Sequence, residues 1–264
     1  MRPLVRVRRE TPFDPRYLQR SELLWPLHEA AARLGPLDDF PPCEVLVRVF
    51  DPREGAAPVT FEPATPRARR REPLRPSTLY DGRITLAGRV PTRARCWHDF
   101  MNALVWGTFP ASKRALHARQ HRAIVARLEP GARVLPPTRT RELDALALLD
   151  EGGVIVWADD PAITRAALRA RPGALRDALT EGRAEVVVFG HAIFESLVLG
   201  VSPAAVAALV TAREGGASRP LQRIDTVLSA TLDDASMLLT PTELCRVDLG
   251  EATVPTLPRT RRRG

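Results

Sequence analysis

His98, Asp99 and Asn102 fall within about one helical turn, and Lys113, His117 and His121 follow at successive four-residue steps. A histidine held by an aspartate or an amide can act as a general base or as a metal ligand of fixed tautomer. Asn102 and Lys113 are the chain's only asparagine and its only lysine; every other cationic side chain with a permanent charge is arginine. Residues that escaped such a uniform replacement have shapes their positions need. An ammonium is a compact point charge that the planar guanidinium does not imitate, and an amide both donates and accepts. In a catalytic reading, His98 is a base or ligand, Asp99 orients it, and Asn102 with Lys113 stabilises developing negative charge. The same residues would also serve as a buried polar network that fixes two helices. His117 and His121 share one cationic or metal-competent face, without the intervening glutamate of a metalloprotease helix.

Carboxylates come from further along. Asp150 and Glu151 close a helical pattern just before Gly152-Gly153, where the macrodipole disfavours acids. That placement suits a cationic partner, whether Lys113, an arginine or a metal, or else a solvent-facing pair. His191 follows Gly190 where a strand meets a helix, and Glu195 lies one turn on, as a second acid or metal position or as a local pair. The candidate site is therefore His98, Asp99, Asn102, Lys113, Asp150, His191 and Glu195, with His98, Asp99, His191 and Glu195 as the metal-capable subset. Around a single site, His98, Asn102, Lys113, Asp150 and His191 are expected to line one concave, mostly apolar pocket.

The elements that must position these residues can be read from periodicity. Ser21 to Leu34 is helical in pattern, Glu44–Phe50 has the β-branched content of a strand, and Arg83–Leu86 reads as a short strand. Helices are predicted from Trp97, and from Pro110 to about Leu128, with the proline in a first turn. A third, capped by Thr140, runs through Leu149. The strands Val154–Trp157 and Glu185–Phe189, each followed by a helix, suggest a parallel crossover unit whose carboxyl ends, at Asp159-Asp160 and Gly190-His191, open on one edge. The expected fold is α/β: a helix-rich single domain with a small sheet including a parallel β-α-β unit.

The chain has 264 residues, 44% of them hydrophobic, enough to bury a sizeable core. Residues 1–50 read as the N-terminal part of that core, 51–78 as a proline- and arginine-rich disordered insertion, 79–250 as the main domain and 251–264 as a basic disordered tail. The net charge of +8 suits an anionic partner. Much of it, however, sits in the arginine runs at 67–71 and 259–263, which also read as solvated segments. Three isolated cysteines, Cys43, Cys96 and Cys245, can build neither a disulfide framework nor a four-cysteine zinc site. No signal peptide or membrane span is evident, and a cytoplasmic location follows.

The run Val90-Pro91-Thr92-Arg93, then Trp97-His98-Asp99-Phe100-Met101-Asn102-Ala103-Leu104-Val105-Trp106, Phe109-Pro110 and Lys113, resembles a proteobacterial family known only as a domain of unknown function. Arg141 with Asp144-Ala145-Leu146, Asp150-Glu151 with Gly153-Val154, and Phe189-Gly190-His191-Ala192 with Glu195 resemble its later motifs. The resemblance is specific from about 80 to 200. His117 stands where that family has asparagine, and the C-terminal third lacks its Gly-Pro-Trp and Tyr-Asp-Asp features. A shared domain is implied, but no activity, substrate or cofactor.

The expectation is a hydrolase-type enzyme with a His/Asp/Asn/Lys pocket, compatible with a divalent metal and acting on an unknown small-molecule or phosphate-bearing ligand. The alternatives are a protein that binds nucleic acid weakly through its basic loop and tail, and a non-catalytic scaffold for a partner. A membrane is not expected to be among its partners.

Overall fold

The computed structural model describes residues 11–64, 73–201, 206–213 and 220–251. Helix α1 (His28–Leu34) leads to strand β1 (Thr60–Pro63), helix α2 (Tyr80–Ala87) and strand β2 (Arg89–Thr92). Helices α3 (Trp97–Thr108), α4 (Pro110–Val125) and α5 (Arg141–Gly152) follow, then β3 (Gly153–Ala158), α6 (Pro161–Ala170), α7 (Ala174–Thr180), β4 (Ala184–Val188) and α8 (His191–Val198). Strand β5 (Val206–Ala212), α9 (Pro220–Asp233) and β6 (Cys245–Val247) complete the elements. No helix among the described residues is long and apolar enough to cross a membrane.

The fold is helix-rich α/β with small sheets. Strands β1 and β2 pair in parallel across α2, forming a β-α-β arrangement. A second sheet has the order β4-β3-β5-β6, and only β3 and β5 run parallel within it. All six residues of β3 are buried, as expected of a central strand covered on both faces. Helix α3 is apolar nearly all round and correspondingly buried: Phe100, Met101, Ala103, Leu104, Val105 and Trp106 have almost no exposure.

Local signals explain several boundaries. Thr140 Oγ1 accepts from the Leu143 amide at 3.1 Å and Asp160 Oδ1 from the Ile163 amide at 3.0 Å, so both helices start on side-chain caps. Helix α4 starts with Pro110, and its next two amides donate to a carboxylate from elsewhere in the chain: Ala111 N and Ser112 N lie 3.0 and 2.8 Å from the Asp225 oxygens of α9.

Three expected strand features differ. Strands β3 and β4 are antiparallel, with Val154 opposite Val188 and Ala158 opposite Ala184. The reason lies in the intervening chain, which breaks at Arg171-Pro172-Gly173 into two helices, α6 and α7, instead of one crossover helix. This helical pair returns to the end of the sheet it left, and Asp159 N donates to Arg183 O at 3.0 Å. Asp159-Asp160 and Gly190-His191 therefore open on opposite edges. The expected strand over Glu44–Phe50 is a 3-10 turn at Leu46–Val49. Leu46 and Val49, three residues apart, are both buried, which matches a threefold period and not strand alternation. The expected strand at Arg83–Leu86 lies inside α2, where Ile84 is buried and Leu86 is 61% exposed. Within 51–78, the described residues include a 3-10 turn at Pro52–Glu54, strand β1 and another 3-10 turn at Pro76–Thr78. Residues 65–72, with the whole of the first arginine run, and the tail from 252 lie outside the described residues.

Candidate metal centre

The antiparallel pairing builds the site. It sets the end of β4 against the start of β3, where Phe189 N and Gly190 N both donate to Gly153 O, at 3.1 and 2.8 Å. The C-terminus of α5 and the N-terminus of α8 thereby meet. A Cβ on Gly190 would lie 2.5 Å from both Glu151 O and Gly153 N, so this close approach requires glycine. Asp150 and Glu151 of α5 come to lie beside His191 of α8, and α3 presents His98 to the same point.

His98 Nε2 and His191 Nε2 are 2.9 Å apart, and Glu151 Oε2 is 3.8 Å from the first and 3.4 Å from the second. A triangle with those sides has a circumscribed radius of about 2.0 Å, the length of Zn–N and Zn–O bonds, so one point lies at bonding distance from all three atoms. The cluster can coordinate a metal ion. His191 is 4% exposed, while His98 and Glu151 are half-buried and leave one side open.

Each histidine has a carboxylate behind it. Glu195 Oε2 lies 3.0 Å from His98 Nδ1, and Asp150 Oδ1 lies 3.7 Å from His191 Nδ1. Glu195 accepts the His98 Nδ1 proton and so turns the His98 Nε2 lone pair toward His191, whose Nδ1 has no hydrogen-bond partner among the described residues and whose Nε2–H can donate to His98 Nε2 at 2.9 Å. A metal ion that replaced this proton would meet both Nε2 lone pairs. Burial opposes protonation of His98, but the Glu195 hydrogen bond and the Glu151 and Glu195 charges outweigh it and leave its pKa raised.

Asp150 is anchored from the other side. Lys113 Nζ, with no exposure at all, donates to Asp150 Oδ1 at 2.5 Å and sits 5.7 Å over the Trp106 ring. Burial pushes the Asp150 carboxyl up, yet the charge of Lys113, joined by His191 and His117, holds it well below the ordinary carboxylate range.

Of the expected site residues, the structure brings together His98, Lys113, Asp150, His191 and Glu195. Asp99 does not orient His98. Both of its oxygens are taken by Arg93, whose amide, Nε and second guanidinium nitrogen donate at 2.5 to 3.0 Å, closing the turn before α3. Asn102 faces Tyr80, donating to its hydroxyl at 3.5 Å, and so has no place beside the histidines. Glu195 stands behind His98, and Glu151 takes the ligand position expected of Asp99 or Glu195. Lys113 is neutralised by Asp150 and sealed from solvent, which leaves it no access to a reacting group.

The expected pocket is displaced as well. A cavity of about 330 Å³ lies beside α5, lined by Asp150 and Glu151 together with Tyr80, Asp81, His117 and Arg127 among others, but not by His98, Asn102, Lys113 or His191. In its wall His117 Nδ1 lies 2.9 Å from Asp81 Oδ1, and the imidazole stacks on Trp106 at 5.5 Å. His121 carries no described hydrogen bond on Nδ1 and packs near Gly82 of α2.

No curated protein and no solved structure matches the chain. Residues 69–250, which carry α2 to β6 and with them the whole histidine–carboxylate cluster, match the family described as Protein of unknown function (DUF3025), to which the chain therefore belongs.

Proposed function

We propose that this protein is a metal-dependent hydrolase in which His98, Glu151 and His191 hold a divalent ion. The observation that carries the reading is the triangle of donor atoms with a common point about 2.0 Å from each. Two histidines and one glutamate are a donor set found in zinc hydrolases that keep a coordination position open. Bound there, the ion would supply Lewis acidity and lower the pKa of a water molecule toward neutrality.

The remaining roles belong to the chain itself. Glu195 holds the His98 Nδ1 proton and fixes the ring so that Nε2 faces inward. Asp150 places a negative charge 3.7 Å from His191 Nδ1, and Lys113 keeps Asp150 ionised and in place. Glu151, on the helix end between cluster and cavity, is the group that links the ion to whatever occupies the cavity.

The test is titration of metal-free protein with Zn²⁺ or Mn²⁺ by calorimetry, followed by a screen of ester, amide and phosphate-ester hydrolysis. One ion per chain is expected, with uptake abolished in His98→Ala and His191→Ala and weakened in Glu151→Gln. Absence of uptake by the folded wild-type protein refutes the metal centre. Uptake of iron with oxygen-dependent turnover and no hydrolysis refutes the hydrolase reading, because the same donor set also serves oxygenases.

A further inference from the structure

The cavity beside α5 is polarised. Its lining carries three carboxylates, of Asp81, Asp150 and Glu151, and two guanidinium groups, of Arg127 and Arg139. Arg127 gives one guanidinium nitrogen to Thr138 O at 2.8 Å, and neither arginine is paired with a carboxylate among the described residues. Leu79, Ile124 and Leu143 supply apolar lining. At about 330 Å³ the cavity falls at the small end of the range for small-molecule sites.

A second observation points to a ligand. His117 lines this cavity at 1% exposure with Nδ1 bound to Asp81, while its Nε2 has no hydrogen-bond partner among the described residues. A buried imidazole nitrogen left unsatisfied destabilises the fold, and a polar group from outside the chain would complement it. Tyr80 and Trp106 hold the ring edge-on and face-on, at 5.7 and 5.5 Å, and fix its direction.

We infer that the cavity binds a small organic acid, with its carboxylate between Arg127 and Arg139, its apolar body along Leu79, Ile124 and Leu143, and a polar group on His117 Nε2. Guanidinium groups favour planar carboxylates and phosphates. The three acids of the lining disfavour the more highly charged phosphate monoester relative to the monoanion. As an identification of the substrate class, the inference rests on the hydrolase reading, since Glu151 belongs to both the cluster and the cavity; as a binding site, it stands without the metal.

The experiment uses full-length protein treated with EDTA, so that its result does not depend on metal uptake. Binding of 4-phenylbutyrate, 4-phenylbutanol and phenyl phosphate is measured by calorimetry, with the His117 imidazole nitrogens followed by NMR. The acid is expected to bind at least tenfold more tightly than the alcohol, to shift the His117 Nε2 resonance, and to lose at least tenfold affinity in Arg127→Gln/Arg139→Gln. Equal binding of acid and alcohol, tighter binding of the phosphate, or no binding of the acid overturns the inference. The comparison of acid with alcohol uses the wild-type protein and needs no variant to fold. Metal titration of the same preparation separates a failure here from a failure of the metal centre.

Discussion

Replacing Lys113 with methionine keeps a long apolar stem and removes only the ammonium. The consequence falls on Asp150, whose hydrogen bond at 2.5 Å comes from Lys113 and whose other close neighbour, His191 Nδ1, is 3.7 Å away. Lys113 has no exposure and Asp150 is 8% exposed, so the lost partner is only partly replaced by water from the neighbouring cavity. Breaking a buried pair by removing one member typically destabilises by ~3–5 kcal/mol. At roughly 2–4 °C per kcal/mol for a chain of this size, the melting temperature is expected to fall by about 10 °C. The sign of the pH dependence follows from the same contacts. In the wild type, burial raises the Asp150 pKa but Lys113 and the histidines depress it further, so its contribution to stability is present above the unfolded carboxyl value of about 3.9 and is lost as pH falls through the depressed folded value. In Lys113→Met, burial dominates and the folded pKa rises, so stability is instead lost as pH climbs through that raised value. The gap between the two proteins should therefore be widest near neutrality and narrow toward pH 4. Urea unfolding of both at pH 7 and pH 4.5, with Lys113→Met/Asp150→Leu as the paired control, measures it. A loss below about 1 kcal/mol at pH 7, or a gap that does not close on acidification, refutes this account of the buried pair.

Other perturbations test neighbouring contacts. Lys113→Arg should also destabilise, because a larger planar cation must fit where no exposure exists; an unchanged melting temperature counts against a shape requirement. Glu195→Gln is expected to weaken metal affinity about 10- to 100-fold by calorimetry while leaving the fold intact, as for other carboxylates behind metal-bound histidines. Gly190→Ala forces a Cβ against Glu151 O and Gly153 N and should destabilise by ~1–3 kcal/mol or more in thermal unfolding, with weaker metal uptake. Asp225→Ala removes an acceptor from two α4 amides and the Ser112 hydroxyl, a loss of ~1–3 kcal/mol in urea unfolding. Burial raises the Asp225 pKa despite those hydrogen bonds, so its contribution is present below about 3.9 and declines as pH rises through the raised value; Asp225→Asn should flatten the stability profile in that window.

Composition was a better guide to the site than periodicity. The single lysine, Lys113, is sealed against Asp150, whereas the single asparagine, Asn102, faces Tyr80. Acids at the unfavourable end of α5 pointed to a cationic partner, and Asp150 found one in Lys113. Spacing along one helix was less informative. His98 and Asp99 are adjacent, yet Asp99 is occupied by Arg93, and the group behind His98 comes from Glu195, 97 residues away. The direction of β4 was not legible because a proline-glycine break between α6 and α7 and a continuous crossover helix leave similar hydrophobic patterns. Arg119, 3% exposed and bound to Glu142 and to the carbonyls of Leu232, Asp234 and Met237, went unnoticed among so many arginines. The resemblance expected from about 80 to 200 understated the family match, which covers 69–250.

The meeting of His98 with His191 spans 93 residues of chain. In a zinc finger the ligands are close in sequence, and the ion can gather a short peptide before anything else has formed. Here it cannot act so early. During synthesis, His98 must wait until α5, the helical hairpin and β4 have emerged and β4 has turned back along β3. Closing so long a loop is a late event in folding, because its entropy is spent before the contacts at its ends repay it. An ion at this junction would therefore act as a lock on the finished fold. Its retention would distinguish chains whose sheet has paired in the right direction from those in which β4 has paired the other way.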